Sequence, residues 1–273
     1  MAPRSFLKRE PKMVVRASIL ARMLVKFSTH QSVWLHAALI VFVTQAALAK
    51  DVCDTQSAKG DVCLCELSDL HPTQASVGLT EVRIKAEKLK DEIEQRGEPN
   101  FLKYLLRHGK EEPVIIGPRG IFYIIDHHHL ARALYDLGLS KTYCIIVDNL
   151  SSAAVDDFWR QMKSNNQVYL KDQNGNTIAP SQLPTSIKNL SNDPFRSLAG
   201  AVRELCGFEK EAGSEDYLEF EWADYLRARW AQTGIAVKDI DTNFDNATDA
   251  AVRLAAQKDA ESLPGYTGKM SCD

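Results

Sequence analysis

One stretch in the middle of the 273-residue chain limits its fold more than any other. Strand-forming apolar residues from Tyr123 to Ile125 run directly into Asp126 and then into three consecutive histidines. From Leu130 onward, the apolar residues recur at a spacing that suits a helix. The stretch therefore predicts a strand that ends before the histidines and a helix that begins at them. Such a sequence requires a fold containing both a sheet and helices.

Asp126 is the expected N-cap of this helix, because an Asp side chain accepts hydrogen bonds from N–H groups two or three residues later. The helix would then begin at His127, His128 and His129. A helix N-terminus has partial positive charge and unpaired N–H donors, which together bind anions. Imidazoles add groups that transfer protons. These four residues are the candidate catalytic residues, although an ordinary capped helix with polar residues in its first turn fits the same pattern.

The first 49 residues have the pattern of a secretory signal. Basic residues precede an apolar run from Val33 to Val43, and Ala47-Leu48-Ala49 is a small-x-small cleavage pattern. The apolar run is short for a membrane span, which favours cleavage over an uncleaved anchor. We therefore expect a periplasmic or secreted protein whose mature chain starts near residue 50 and has no stable membrane span after cleavage.

The charge distribution limits the classes of partner. Residues 1–49 hold seven of the 33 Lys and Arg residues and one of the 36 acidic residues, so residues 50–273 have a net charge of −9. An acidic surface argues against broad, non-specific binding to a polyanion. It leaves room for a local basic pocket.

The six cysteines all follow the predicted cleavage site. An exported protein meets an oxidising compartment, so disulfides are expected. Cys53 can close a short loop with Cys63 or Cys65, and Cys206 can tie Cys272 to the body of the protein.

Cys144 lies within a run of strand-forming residues and is expected to be a free thiol in the core. The spacing of Cys63-Leu64-Cys65 is too tight for the usual zinc patterns. Successive helical residues point about 100° apart, so His127 and His129 would face nearly opposite directions. One ion could take two of these histidines only if the segment is a loop, with Asp126 as a third ligand at best. We therefore assign no metal ligand, and the cofactor is unknown.

Local patterns predict seven helices and several strands after residue 50. The predicted helices are Glu81–Arg96 capped by Thr80, Asn100–His108, the helix from the histidines to Leu137, Ser152–Lys163, Pro194–Leu205, Glu215–Trp230 and Asn243–Lys258. The predicted strands are Val62–Leu67, Pro113–Ile116, Ile121–Ile125 and Tyr143–Val147, with a further hairpin around Asn174-Gly175. Residues 71–74 are expected to form a loop. This order indicates an α+β fold.

Five short motifs occur in order between residues 66 and 150: His71-Pro72-Thr73-Gln74, Gly109, Pro113-Val114-Ile115-Ile116, Asp126-His127-His128-His129 and Gly138-Leu139. In this order they resemble the ParB-like nuclease and sulfiredoxin superfamily. The later chain, including residues 192–199 and 219–224, is similar to exported ParB-like proteins. The resemblance implies a small mixed-sheet unit over residues 50–150 and a largely helical extension over residues 151–273 that packs on it.

The chain departs from the family pattern at two positions. His128 stands at the position of the catalytic cysteine of sulfiredoxin, so sulfinic-acid reduction is not expected. Leu130 stands where the family commonly has an arginine that holds phosphate, which puts nucleoside-triphosphate binding in doubt. Arg132 is retained, lies on the same predicted helix face as His128, and can add a charge-assisted contact to an anion. A solvated helix residue is the alternative for Arg132.

Four further residues are candidates for substrate binding. By resemblance, His71 and Gln74 would line the same pocket. Asp193 and Arg196 lie in the first turn of one helix, where they could instead pair with each other.

The leading hypothesis is a nuclease-type phosphodiesterase, a hydrolase whose partner is a phosphate-containing small molecule, a nucleotide or a nucleic acid. A non-catalytic binding module on the same scaffold is the second hypothesis. A metal-dependent hydrolase is the third.

Overall fold

A six-stranded mixed sheet lies at the centre of the computed structural model, which describes residues 50–210 and 217–272. Its strands are β1 (Lys50–Val52), β2 (Val62–Glu66), β3 (Leu70–Pro72), β5 (Glu112–Ile116), β6 (Phe122–Ile124) and β7 (Lys141–Asn149). A separate parallel pair is formed by β4 (Ser76–Val77) and β8 (Ser191–Asn192). The predicted signal segment and the first residues of the predicted helix at 215–230 lie outside the described residues.

The described ranges contain seven α-helices. They are α1 (Leu79–Arg96), α2 (Glu98–Arg107), α3 (His128–Asp136), α4 (Val155–Ser164), α5 (Pro194–Glu204), α6 (Leu218–Arg229) and α7 (Phe244–Ala255). The sheet order is β1-β2-β7-β5-β6-β3, with antiparallel pairing of β5 with β6 and parallel pairing of β5 with β7. The predicted α+β class and the order helix, helix, hairpin, helix, strand are confirmed.

Two large apolar cores hold these elements together. One lies between the sheet and α1, α2 and α3, where Leu134 and Ile146 are fully or almost fully buried. The other lies among α5, α6 and α7 around Trp222, which is completely buried. Full burial of one such aliphatic side chain contributes about 1.5–3 kcal/mol. The helical C-terminal part therefore has a core of its own.

The two parts meet closely where β4 leads into α1. A Cβ atom on Gly78 would lie 2.3 Å from the hydroxyl oxygen of Ser197 on α5, so this contact requires a glycine. The N–H of Leu79 donates to Asn192 Oδ1 at 2.9 Å. Contacts of this kind fix the start of α1 against α5. The boundary at residue 150 between the two predicted parts stays a prediction.

Thr80 does not cap α1, contrary to expectation. The helix begins at Leu79 with Gly78 as its N-cap, and the Thr80 hydroxyl instead donates to Asp241 Oδ1 at 2.7 Å. His71-Pro72 is also not a loop but part of β3, which pairs with β6 at the edge of the sheet. An edge strand tolerates proline, because the missing N–H costs no ladder bond there.

Three disulfides join Cys53 to Cys63, Cys65 to Cys144 and Cys206 to Cys272. The prediction that Cys144 is a free thiol is wrong. Antiparallel pairing of β2 with β7 brings the Cα atoms of Cys65 and Cys144 to 5.9 Å, within bonding range. Disulfides are consistent with an oxidising compartment.

Within residues 50–210 and 217–272, no helix combines the length and the apolar composition required to cross a membrane.

Candidate functional site

The start of α3 differs from the predicted capped helix. Its N-cap is His127, which is in the left-handed conformation (φ 61°, ψ 18°), and no side chain caps the helix. The prediction that Asp126 caps two or three residues ahead is wrong, because its Oδ1 accepts only the N–H of His127, at 2.7 Å. A non-glycine residue in this conformation costs of order 1–3 kcal/mol and is frequent at functional sites.

His128 connects α3 to the segment after β3. Its Nε2 accepts the backbone N–H of Thr73 at 3.2 Å, and the ring is almost completely buried. The pKa of His128 is lowered to about 3, mainly by burial, with Asp126 opposing the shift and Arg196 adding to it. The ring is therefore neutral, with its Nε2 lone pair already committed to the backbone.

His129 makes a second connection of the same kind. Its Nε2 accepts the N–H of Gly78 at 3.0 Å, and burial lowers the pKa of the ring well below its ordinary value. Glu81 Oε2 lies 3.3 Å from the same nitrogen, and burial raises the pKa of this carboxyl group. Because the Nε2 lone pair already accepts the Gly78 N–H, Glu81 Oε2 makes no hydrogen bond with it, and the neutral ring forms no ion pair with Glu81.

A cavity of about 1060 Å³ opens beside these histidines. Its walls come from the start of α3, the segment after β3, α1, α2, residues 165–169, α5 and the start of α6. The cationic residues in this lining are Lys85, Lys110, Arg196, Arg203 and Lys210, and the carboxylates are Glu81, Asp126 and Glu219. The cavity is thus locally cationic, although residues 50–273 are acidic as a whole.

Arg196 is the most unusual residue in this lining. Its side chain is 5% exposed, and its Nε and Nη1 atoms have no hydrogen-bond partner among the described residues. Its Nη2 lies 3.6 Å from Glu219 Oε2, and the guanidinium stacks 3.4 Å above the ring centre of Phe220. Burial lowers the pKa of Arg196 to about 10, which leaves it charged at neutral pH. A buried guanidinium with unused donors is suited to an anionic ligand.

Unlike His128 and His129, whose Nε2 lone pairs accept backbone N–H groups, His127 has an Nε2 without a hydrogen-bond partner among the described residues. The side chain is 30% exposed and lines the cavity, and Nδ1 lies 3.2 Å from the Glu111 carbonyl oxygen. A ring that donates from Nδ1 leaves the lone pair of Nε2 without a hydrogen-bond partner among the described residues; this tautomer is inferred from the contact. His127 is therefore the candidate for proton transfer.

Of the five predicted binding residues, Arg132, His71 and Asp193 do not line the cavity. Arg132 donates from Nε to Asp136 at 2.9 Å and from Nη1 to the carbonyl oxygens of Ile187 and Leu190. His71 packs edge-on against Tyr123 on the neighbouring strand. Both side chains are accounted for by contacts within the fold.

Gln74 does line the cavity, where its segment pairs with the segment of Tyr169. Asp193 caps α5 by accepting the Phe195 N–H at 3.0 Å, and its second oxygen pairs with Arg227. The predicted local pairing of Asp193 with Arg196 is not found, because Asp193 is occupied by these other partners.

Sequence reasoning missed Glu81, Lys85 and Glu112. The two residues on α1 flank the predicted apolar face, and nothing in the local pattern marks them as functional. Glu112 lay one residue before the predicted start of its strand, yet β5 includes it and buries it completely. In the described part of the chain, no group of three or more His, Cys, Asp or Glu side chains is arranged to hold a metal ion.

Comparisons with known proteins agree with this architecture. A family model described as "Putative ParB-like nuclease" matches residues 63–228, a range that includes the whole start of α3 and Arg196. The crystal structure of protein Atu1540 from Agrobacterium tumefaciens is similar, with 33% sequence identity and a TM-score of 0.64 over 76% of this chain and 97% of that chain. No curated protein matches the chain.

Proposed function

The chain belongs to the ParB-like nuclease family, and from this premise we propose that its cavity binds a phosphate group and hydrolyses a phosphodiester bond. The observation that carries the proposal is the buried Arg196, whose Nε and Nη1 lack hydrogen-bond partners in a cavity that the start of α3 also lines. A phosphodiester offers the paired acceptor oxygens that a guanidinium binds in a fork.

The first turn of α3 lines the same cavity and supports anion binding. The N–H groups of Leu130 and Ala131 already donate to the His127 carbonyl oxygen. The N–H groups of His128 and His129 have no acceptor among the described residues, and they lie at the positive end of the helix. An anion between this helix start and Arg196 would satisfy both sets of donors.

His127 is the proposed general base and acid. Its Nε2 takes a proton from a water molecule, and the water oxygen bonds to phosphorus while the bond to the leaving oxygen breaks. The leaving oxygen then receives the proton back from Nε2, so the products are an alcohol and a phosphomonoester. Proton transfer of this kind contributes typically 10²–10⁴-fold to a rate.

The substrate class follows from the size and charge of the cavity. About 1060 Å³ is more than a phosphate ion requires, and apolar side chains such as Leu89, Tyr104 and Leu105 form part of the lining. A nucleotide or the end of a single-stranded nucleic acid fits this combination of charge and apolar surface. The three disulfides support action in the periplasm or outside the cell.

One observation favours a second candidate, a binding module without catalysis. His128 and His129 each use the Nε2 lone pair to accept a backbone N–H, so neither ring has that lone pair available as a general base. Such a module would use Arg196 and the helix start for binding alone.

The test is hydrolysis of bis(p-nitrophenyl) phosphate and of single-stranded oligonucleotides, with and without a chelator. We expect His127→Ala to lower kcat by about 10²–10⁴-fold. His71→Ala is the matched control, since His71 lies outside the cavity lining, and its rate should match that of the wild type. Saturable phosphate binding without turnover would support the binding module instead. Absence of both turnover and binding would refute both candidates.

A further inference from the structure

Glu112 on β5 is a completely buried carboxyl group without an evident structural role. Neither of its carboxyl oxygens has a hydrogen-bond partner in residues 50–210 and 217–272. Burial of such a group is costly unless it is paired, so an unpaired one requires an explanation. The Nδ1 atom of His127 lies 3.8 Å from Glu112 Oε2.

The charged groups that face Glu112 come from several elements. Glu111 is its neighbour on β5, Asp126 lies between β6 and α3, and Lys85 lies on α1. On β7, the Cα of the disulfide-bonded Cys144 is opposite Glu112 in register. Burial raises the pKa of Glu112 well above its ordinary value, Asp126 raises it further, and Lys85 opposes this shift. The nearby carboxylates disfavour ionisation, so a positive charge on the neighbouring imidazole would have a large effect.

We propose that Glu112 is the counter-ion of His127, a positioning residue that orients the ring and whose ionisation is coupled to protonation of the imidazole. The proposal rests on the proposed function, in which His127 exchanges a proton with the substrate. Contacts of Nδ1 with Glu112 and with the Glu111 carbonyl oxygen leave Nε2 as the nitrogen available to the cavity. The coupling is electrostatic, and no bond forms between the two side chains.

The coupling acts whenever the ring gains or loses its proton. An imidazolium ring 3.8 Å from Glu112 favours the carboxylate form, and the carboxylate in turn favours the imidazolium. Ionisable groups that interact by more than about one pH unit titrate as a pair rather than as independent sites, and the proposal is that this pair does so. Removal of the carboxylate should therefore make His127 harder to protonate.

The experiment is an NMR titration of the histidine ring C–H signals in the whole protein, with His127 identified by loss of its signal in His127→Gln. In Glu112→Gln, which keeps the shape and removes the charge, we expect the midpoint of the His127 titration to move about one pH unit lower. The His71 signal is the internal control, since His71 lies two strands away on β3, and its midpoint should not move. An unchanged His127 midpoint in a folded Glu112→Gln protein would overturn the proposal.

A second measurement does not depend on the variant being folded. In wild-type protein carrying ¹³C-labelled glutamate, the Glu112 carboxyl signal and the His127 ring signal should each show two steps at shared midpoints. Independent single-step curves would overturn the proposal. Neither measurement requires a substrate, so coupled titration in a protein that hydrolyses nothing would remove only the catalytic role. If the protein is active, the acidic limb of its rate–pH profile should shift in Glu112→Gln by the same amount as the NMR midpoint.

Discussion

The two helix starts that meet at the cavity, those of α3 and α5, satisfy their polar groups in opposite ways. At α3 the backbone cap is missing, yet the side chains of His128 and His129 are bound to Thr73 and Gly78. At α5 the cap is complete through Asp193, yet the guanidinium of Arg196 keeps two nitrogens without partners. The comparison teaches that His128 and His129 stabilise the fold through backbone contacts, whereas Arg196 keeps the unpaired donors that our proposal assigns to a ligand.

The largest effect should come from removing His128. His128→Ala leaves the buried Thr73 N–H without an acceptor and leaves a void, so we expect the free energy of unfolding at pH 7 to fall by about 3 kcal/mol. His127→Ala is the matched control one residue earlier, and since it loses only a partly exposed ring, it should cost about 1 kcal/mol. Guanidinium denaturation measures both. Equal losses would contradict the structural role given to His128.

Lowering the pH should reduce the difference in free energy of unfolding between the wild type and His128→Ala. The pKa of His128 is about 3 in the folded protein, below its ordinary value of 6.5. The stability contributed by the neutral ring is therefore complete above pH 6.5 and is lost as the pH falls towards 3, by up to about 1.4 kcal/mol per pH unit. The gap between wild type and His128→Ala should be smaller at pH 4 than at pH 7. A gap that stays constant would show that the ring is not held neutral.

The next effect concerns Arg196 and tests the other side of the comparison. Arg196→Gln should weaken binding of inorganic phosphate about 10–100-fold, as expected from the loss of charge-assisted hydrogen bonds. Isothermal titration calorimetry measures this, with Arg132→Gln as the matched control, because Arg132 is engaged by Asp136 and backbone carbonyls. Equal affinities for the two variants would refute the ligand role of Arg196.

The smallest effect separates the two aspartates that precede the helices. Asp193→Ala removes a helix cap and a partner of Arg227, so it should lower the free energy of unfolding by about 2 kcal/mol. Asp126→Ala should change it by less than about 0.5 kcal/mol, because Asp126 is exposed and bonds only to the adjacent N–H. Thermal or chemical denaturation of the two variants measures both changes in the free energy of unfolding. A larger loss for Asp126→Ala would reverse our description of the two helix starts.

Local patterns were sufficient for the α+β class, for most helices and for the family resemblance read from the order of the motifs, which the family model confirms. They were not sufficient for contacts between distant segments. The disulfide of Cys144 depends on the pairing of β2 with β7, whose cysteines are 79 residues apart. The binding of His128 to Thr73 depends on the sheet in the same way, since 55 residues separate the two.

Contacts between distant segments also determine the candidate site, and local patterns did not predict them. Arg196 was named as a candidate only as a member of a local pair, because nothing in its neighbourhood predicts that Asp193 would be taken by Arg227. Burial of Glu112 depends on the exact first residue of β5, and strand ends are the least certain part of any prediction from local patterns. The site is therefore a product of tertiary packing more than of its most visible motif.

The close approach of Gly78 to Ser197 has a consequence for how such a protein can evolve. The histidines come from the first half of the chain and Arg196 from the second, and the contact of Gly78 with Ser197 is where α1 and α5 meet beside the cavity that both line. Recombination that exchanged only one part would place a surface that does not fit at the contact of Gly78 with Ser197. It would also separate the Arg196 charge from the histidines. Both parts must therefore be inherited together.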